Sequence, residues 1–143
     1  MVTRRFTVET AHLLSRRGRE MHIEQLTSQV SVSGQISVED VKDFVDQGVE
    51  LLVCNRPDGE DEGQTEYKLI EAEAKRLGLP FTLLAFSSYQ ITPENRDEFV
   101  DLIQTRERIH CYCRSGARSK RLWREANFLV GGEAEYDAKC EKA

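Results

Sequence analysis

Residues 109–119 read Ile-His-Cys-Tyr-Cys-Arg-Ser-Gly-Ala-Arg-Ser, an apolar run of strand length that leads into a cysteine, a glycine-containing turn and an arginine. Arg118 follows Cys113 by five positions, with Gly116 between them. A turn of this kind before a helix directs backbone amides inward, and the helix adds the positive end of its dipole. That field attracts anions and favours the thiolate form of Cys113. The stretch therefore predicts a nucleophilic cysteine inside an anion-binding loop, whose other members are Arg114, Ser115, Gly116, Ala117 and Ser119.

The rest of the chain alternates apolar runs of strand length with segments of helical spacing. The predicted strands are 29–33, 49–54, 80–86 and 108–112, and the predicted helices begin near Ser37, Thr65, Pro93 and Ala117. This alternation is typical of parallel βαβ units, in which ligands bind at the carboxyl ends of the strands. We expect an α/β fold with a parallel central sheet flanked by helices. Residues 29–33 are expected to form an edge strand, and Cys113 to lie at a carboxyl strand end.

Composition excludes several classes of protein. The chain has 143 residues, 39% hydrophobic and 31% charged, which suits one globular domain. Its net charge is −5, and residues 21–143 carry 15 basic and 23 acidic side chains, so no nucleic-acid partner is expected. No apolar run approaches the roughly 20 residues of a membrane span, so no membrane association is expected either.

The charge distribution suggests three regions. Residues 1–20 hold five arginines and two glutamates and are expected to form a basic N-terminal extension, disordered or targeting in role. Residues 21–130 form the predicted catalytic domain, and 131–143 a polar tail that frays or forms a short helix. Nothing in the sequence indicates an oligomeric state.

The four cysteines, at positions 54, 111, 113 and 140, form no disulfide or zinc spacing pattern. A reducing cytoplasm is the expected location. His110 lies beside Cys111, but successive strand residues face opposite sides and no second ligand cluster exists, so neither a metal nor a cofactor is predicted. Cys111 is expected to pack in the core, and His110 to have a core or surface role.

From Met21 to about Leu129 the chain resembles a bacterial family described as the beta-lactamase hydrolase-like protein, phosphatase-like domain. The segments that carry the resemblance are 32–36 (Val-Ser-Gly-Gln-Ile), 55–60 (Asn-Arg-Pro-Asp-Gly-Glu), 90–92 (Gln-Ile-Thr) and 113–119 (Cys-Arg-Ser-Gly-Ala-Arg-Ser). The resemblance implies a fold like that of dual-specificity protein tyrosine phosphatases, with a catalytic cysteine loop between a strand and a helix. It also implies that Gln35 and Gln90 line the pocket. Asn55 and Arg56 are expected there too, because they follow the adjacent strand.

Two departures from the phosphatase pattern favour another chemistry. Four residues separate Cys113 from Arg118, the length found in rhodanese sulfurtransferases, whereas phosphatases of this fold have five. Dual-specificity phosphatases also place an acid in the loop that here reads Ser-Ser-Tyr-Gln over 87–90. Sulfur transfer from thiosulfate or a persulfide expels a low-pKa group that needs no proton. The sequence therefore predicts first a sulfurtransferase with a Cys113 persulfide intermediate.

Two alternatives stay open. The first is hydrolysis of a phosphate ester through a cysteinyl-phosphate, with Asp58 as the candidate acid, although Pro-Asp-Gly is also a turn sequence. The second is a module that binds an anion or a partner without catalysis.

Within this loop the individual roles differ. Arg118 is expected to grip oxyanion oxygens with two hydrogen bonds. Ser119 is expected to donate to the thiolate or to cap the helix. Arg114 is expected either to attract anions or to be a solvated surface charge.

Overall fold

A six-stranded sheet forms the centre of the computed structural model, which describes residues 12–14, 20–87 and 90–131. The strands are β1 (His12–Leu14), β2 (Glu20–Gln25), β3 (Val30–Ser33), β4 (Leu51–Cys54), β5 (Phe81–Leu83) and β6 (Ile109–Tyr112). The helices are α1 (Asp40–Asp46), α2 (Tyr67–Arg76), α3 (Pro93–Thr105) and α4 (Ala117–Leu129). In the described residues no helix is long and apolar enough to cross a membrane.

The strand order is β1-β2-β3-β6-β4-β5. The four strands β3, β6, β4 and β5 are parallel to their neighbours. Strand β2 pairs with β3 in antiparallel fashion, and β1 pairs with β2 in the same way. The predicted α/β fold with a central sheet flanked by helices is confirmed, and it is the fold of the protein tyrosine phosphatases. Since β6 lies between β3 and β4, the residues that follow these three strands meet at one carboxyl edge.

One prediction about the sheet is wrong. The segment 29–33 does not form an edge strand, because β2 pairs with β3 on the side away from β6, with Ile23 opposite Ser33. Part of the expected basic extension also belongs to the sheet, since His12–Leu14 and Glu20 lie in β1 and β2. Residues 1–11, 15–19 and the tail from 132 onward lie outside the described residues.

Two apolar layers cover the sheet. One contains the buried faces of α1 and α2, and the other those of α3 and α4. Along β6 the residues alternate between them: Cys111 packs in the α3 and α4 layer, Tyr112 packs in the α1 and α2 layer, and the His110 ring stacks on Phe44 of α1 at 4.2 Å. All four β6 residues are therefore buried, as expected for a central parallel strand with helices on both faces.

The predicted start of α3 is confirmed in detail. Thr92 accepts a hydrogen bond from the amide of Asn95, the Asn95 side chain accepts one from the amide of Thr92, and Pro93 takes the first helical position. This reciprocal cap satisfies two amides that the helix leaves without internal partners.

Candidate active site

The loop after β6 rests against the end of β3. The amide of Cys113 donates to the carbonyl of Ser33 at 3.2 Å. Gly116 has a φ of 97°, a left-handed conformation that L side chains rarely adopt, and a β-carbon there would lie 3.4 Å from the Ser33 backbone. A β-carbon at Gly34 would lie 2.9 Å from the Arg114 carbonyl oxygen. The two glycines therefore allow the loop and the strand end to pack backbone against backbone.

Cys113 lies at the floor of this loop. Its side chain has no exposed surface, and the amide of Gly116 donates to Sγ at 3.1 Å. Burial by itself raises the pKa of the thiol, but hydrogen bonds from the Ser119 amide and hydroxyl and from the amides of Gly116 and Ser115 outweigh it, so the pKa is lowered. In the structure the amides that lower this pKa, which form the cradle of the thiol, are those of Ser115, Gly116 and Ser119, whereas the Ala117 amide, also expected to point inward, donates to the Ser115 hydroxyl at 3.4 Å.

Arg118 is held by Glu60. Nη1 and Nη2 each donate to one carboxylate oxygen of Glu60 at 2.7 Å, and Nη1 also donates to the carbonyl of Phe86 at 3.0 Å. Only about a tenth of the Arg118 side chain is exposed. A guanidinium has a second two-donor edge, formed by Nε and Nη2, so binding Glu60 does not by itself exclude binding an oxyanion.

Arg56 links the same carboxylate to the strand β4. Its Nε donates to Glu60 at 2.9 Å, its Nη1 to Gln35 Oε1 at 2.8 Å and its Nη2 to Asp61 at 2.7 Å. The structure therefore brings the predicted pocket residues Arg56 and Gln35 together, with Arg56 buried. Hydrogen bonds from Arg118 and then Arg56 lower the pKa of Glu60, so this carboxylate is ionised at neutral pH.

Arg114 lies at the rim. Its side chain is about two thirds exposed, and Nε donates to Asp61 at 2.9 Å. Asp61 thus bridges Arg114 and Arg56 across the loop.

Asn55 and Ser119 form a fully buried pair behind the cradle. The Ser119 hydroxyl donates to Asn55 Oδ1 at 2.7 Å, and Asn55 Nδ2 donates to the carbonyl of Leu84 at 2.9 Å. The alternative in which Ser119 caps the helix is wrong, because the N-cap of α4 is Gly116 and Ser119 is the third helical residue. Its hydroxyl instead ties the helix to the end of β4.

Two predicted site residues lie away from these contacts. Asp58 is exposed, and its Oδ1 accepts a hydrogen bond from the amide of Tyr67 at 2.9 Å, at the start of α2. Gln90 is exposed in the segment before α3, where its amide donates to the carbonyl of Ser87. The structure shows neither in contact with Cys113, and their roles stay predictions.

Sequence reasoning missed the role of Glu60. The sequence shows 60–63 as an acidic loop after turn residues and assigns Glu60 no part in the site. A usable signal was present nonetheless, because the segment follows β4 at the same sheet edge as Arg56 and Arg118. Arginines gathered and partly buried at one edge need carboxylate partners.

Comparison with known proteins relates this chain to phosphatase-like domains. The family model described as "Beta-lactamase hydrolase-like protein, phosphatase-like domain" matches residues 22–129. A beta-lactamase hydrolase-like protein from Xylella fastidiosa is 27% identical over 112 residues, which cover 78% of this chain and 26% of the relative. The chain therefore spans about a quarter of the length of the curated relatives that it matches.

Solved structures agree on the fold. A candidate phosphatase from Neisseria meningitidis superimposes with a TM-score of 0.63 at 27% identity, covering 70% of this chain and 72% of that one. A candidate phosphatase from Shewanella putrefaciens superimposes with a TM-score of 0.61 at 16% identity, covering 76% of this chain and 69% of that one. At 16% identity the second likeness shows the fold alone.

Proposed function

Since this chain belongs to the family of the beta-lactamase hydrolase-like protein, phosphatase-like domain, we propose that it hydrolyses phosphate esters with Cys113 as the nucleophile. The observation that supports this most is the cradle, in which backbone amides lower the pKa of the Cys113 thiol. Arg118 follows this cysteine by five positions. The likeness to the candidate phosphatase from Neisseria meningitidis adds support. The proposed substrate is a small anionic ester, consistent with the partly buried arginine of the loop.

The proposed reaction has two displacement steps at phosphorus. The Cys113 thiolate attacks phosphorus, an S–P bond forms, the P–O bond to the leaving group breaks, and the leaving oxygen departs with the electron pair. Water then attacks the cysteinyl-phosphate, the S–P bond breaks, and inorganic phosphate and the thiolate are released. The loop amides and Arg118 would stabilise the charge on the three non-bridging oxygens during both steps.

The acidic residues near the site limit the substrate class. Glu60 is ionised and held by Arg118, Asp61 is paired with Arg56 and Arg114, and Asp58 is bonded to the Tyr67 amide. A positioned proton donor contributes about 10²–10⁴ in rate. Since none of these three carboxylates is placed to donate a proton, the described part of the site is expected to act best on esters whose leaving groups depart unprotonated, such as aryl or acyl phosphates. For Asp58 to act as the acid, the carboxyl group that the Tyr67 amide holds through Oδ1 would have to reach the leaving oxygen with Oδ2.

A series of aryl phosphates tests this proposal. The purified protein is assayed with phenols of different pKa as leaving groups and with an alkyl phosphate, alongside Cys113→Ser and Asp58→Asn. We expect rates to fall steeply as the leaving-group pKa rises, Cys113→Ser to lose at least about a thousandfold, and Asp58→Asn to stay within about threefold. Hydrolysis that survives in Cys113→Ser would overturn the assignment of the nucleophile.

Sulfur transfer is the second candidate function. Two observations favour it: the four residues between Cys113 and Arg118, and the absence of a carboxylate in the sequence of 87–90. The comparisons give it no specific support. The same preparation is therefore incubated with thiosulfate and cyanide, with mass spectrometry of Cys113. Thiocyanate formation and a Cys113 persulfide without any phosphatase activity would favour sulfur transfer, and neither activity would favour a binding module.

A further inference from the structure

Three arginine side chains form a row that ends at the rim of the active-site loop. Arg118 and Arg56 both donate to one oxygen of Glu60, Oε1, at 2.7 Å and 2.9 Å. Arg56 and Arg114 both donate to one oxygen of Asp61, Oδ2, at 2.7 Å and 2.9 Å. The Arg56 and Arg118 side chains are 3% and 10% exposed, whereas that of Arg114 is 65% exposed. This row of five side chains therefore carries three positive and two negative charges, and Arg114 is the arginine that reaches solvent.

The Arg114 guanidinium is held at one end and open at the other. Its backbone carbonyl accepts from the amide of Gln35 at 3.3 Å, and Asp61 holds Nε of its side chain. Within the residues that the structure describes, the terminal nitrogens Nη1 and Nη2 have no hydrogen-bond partner. These two nitrogens carry all but one of the N–H donors of a guanidinium, and their planar arrangement matches the oxygens of a carboxylate or a phosphate. Arg114 therefore presents oriented anion-binding donors to solvent.

The leaving group of the proposed reaction faces the same rim. Cys113 lies at the floor of the loop with no exposed surface, and displacement at phosphorus places the attacking and leaving atoms roughly in line. The leaving group therefore lies on the side of phosphorus away from the sulfur, toward the mouth of the loop. Arg114 directly follows the nucleophile, and the shared oxygens of Glu60 and Asp61 connect its guanidinium to that of Arg118.

We propose that Arg114 is a specificity-determining residue whose Nη1 and Nη2 bind a second anionic group on the leaving-group side of the substrate. The preferred substrate class is then a phosphate ester whose leaving group itself carries a negative charge. Asp61 fixes the guanidinium through Nε and leaves its other donors to the substrate. The inference rests on the proposed function, but one of its two tests measures binding and requires no hydrolysis.

Two matched aryl phosphates test the substrate preference. Hydrolysis of 3-carboxy-4-nitrophenyl phosphate is compared with that of its methyl ester, which lacks the second charge and has at least as good a leaving group. We expect kcat/KM of the wild type to be about fivefold higher for the carboxylate, and this preference to fall below about twofold in Arg114→Gln. Arg121→Gln removes the same charge from an exposed arginine of α4 and should keep the full preference. No preference in the wild type, or an undiminished one in Arg114→Gln, would overturn the proposal.

Protection of Cys113 from alkylation tests binding alone. The uncharged reagent iodoacetamide labels the protein in the presence of phenylphosphonate or 3-carboxyphenylphosphonate, and peptide mass spectrometry follows Cys113. We expect the carboxylated compound to protect the wild type at a concentration at least about threefold lower, and the two compounds to protect Arg114→Gln equally. Equal protection of the wild type by both compounds, or protection by neither, would overturn the inference. A protein that shows the expected difference but hydrolyses no aryl phosphate would refute the proposed phosphatase activity and still support anion binding by Arg114.

Discussion

Cys111 and Cys113 are two residues apart and equally buried, yet the fold gives them opposite acidities. Both have a relative exposure of 0%. Burial, with a smaller contribution from the nearby Cys113, raises the pKa of Cys111 inside the sheet, whereas the pKa of Cys113 at the carboxyl edge is lowered. The difference lies in the hydrogen-bond donors: Cys111 packs in an apolar layer, and Cys113 receives the amides of Gly116, Ser115 and Ser119. Burial alone therefore does not decide whether a thiol is reactive; the neighbouring backbone does.

His110, like Cys111, is a fully buried residue of β6. Its Nδ1 and Nε2 lie 2.7 Å and 2.8 Å from the hydroxyls of Ser31 and Ser33. Because the Ser33 hydroxyl donates to the carbonyl of Gly34, we assign Nε2 as the protonated nitrogen and Nδ1 as the acceptor from Ser31. Burial lowers the pKa of His110 to about 3, so the ring is neutral at physiological pH. It supports the strand end on which the loop rests, and it carries no charge to the site.

Chemical labelling of the two thiols tests their opposite acidities most directly. At pH 7, iodoacetate should modify Cys113 at least about a hundredfold faster than Cys111, because the pKa of Cys113 is lowered by its hydrogen-bond donors whereas burial raises that of Cys111. Peptide mass spectrometry after timed quenching measures both rates in one sample. The Cys113 rate should fall as the pH is lowered through its depressed pKa. Equal rates for the two cysteines would contradict the opposite acidities, and the Cys111→Ala variant serves as the control for assignment.

The buried His110 predicts that the protein loses stability as the pH falls. The folded pKa of His110 is about 3 and the unfolded one 6.5, so between these values the unfolded chain binds a proton that the folded chain excludes, and stability is lost as the pH falls below 6.5. From pH 7 to pH 5 this loss should be about 2 kcal/mol, or roughly thirtyfold in the unfolding equilibrium. Urea unfolding at the two pH values measures it. Glu60 also contributes to stability, but through a carboxyl pKa that the folded state lowers. That contribution is lost only as the pH falls below about 4.5, the pKa of the unfolded side chain, which lies outside the range from pH 7 to pH 5.

The His110→Gln variant provides the control for this measurement. It should be less stable at pH 7, since a buried ring and its hydrogen bonds are lost, but it should lack the histidine part of the pH dependence. A variant that loses as much stability as the wild type between pH 7 and pH 5 would assign the effect to other groups.

A smaller effect is expected at the edge of the sheet, from Glu60→Gln. A neutral amide accepts only one of the two hydrogen bonds from Arg118, so the guanidinium should be less well oriented. We expect kcat/KM for an aryl phosphate to fall about tenfold, whereas Glu62→Gln, an exposed neighbour, should leave it unchanged within about twofold. A lower inhibition constant for inorganic phosphate in Glu60→Gln would show instead that Glu60 occupies the anion site.

Much of the fold was predictable because the central strands are continuous apolar runs. Strands β4 and β6 and the loop after β6 follow directly from Leu51–Cys54 and from residues 109–119. The position of 29–33 inside the sheet was not predictable, because pairing with β2 is set by tertiary contact and not by the pattern of the strand itself.

The loop around Cys113 was predictable because its residues are contiguous in sequence, but the long-range contacts that hold it were not. The order Cys113, Gly116 and Arg118 encodes a turn of amides within six residues. The contacts that orient it join Arg118 to Glu60, 58 positions away, and Ser119 to Asn55, 64 positions away. No local periodicity reports such pairs, so the sequence predicts Cys113 and places Asn55 near the pocket but gives neither the contact of Asn55 with Ser119 nor that of Glu60 with Arg118.

Within the residues that the structure describes, the two outermost strands of the sheet, β1 and β5, are each three residues long. A sheet border offers unpaired backbone donors and acceptors to any extended peptide, and long borders invite fibrils and exchanged strands. The described part of each border offers room for little more than one pair of hydrogen bonds. The sheet thus resists growth by addition of foreign strands, although its interior is formed from the aliphatic sequences that aggregate most readily when uncovered.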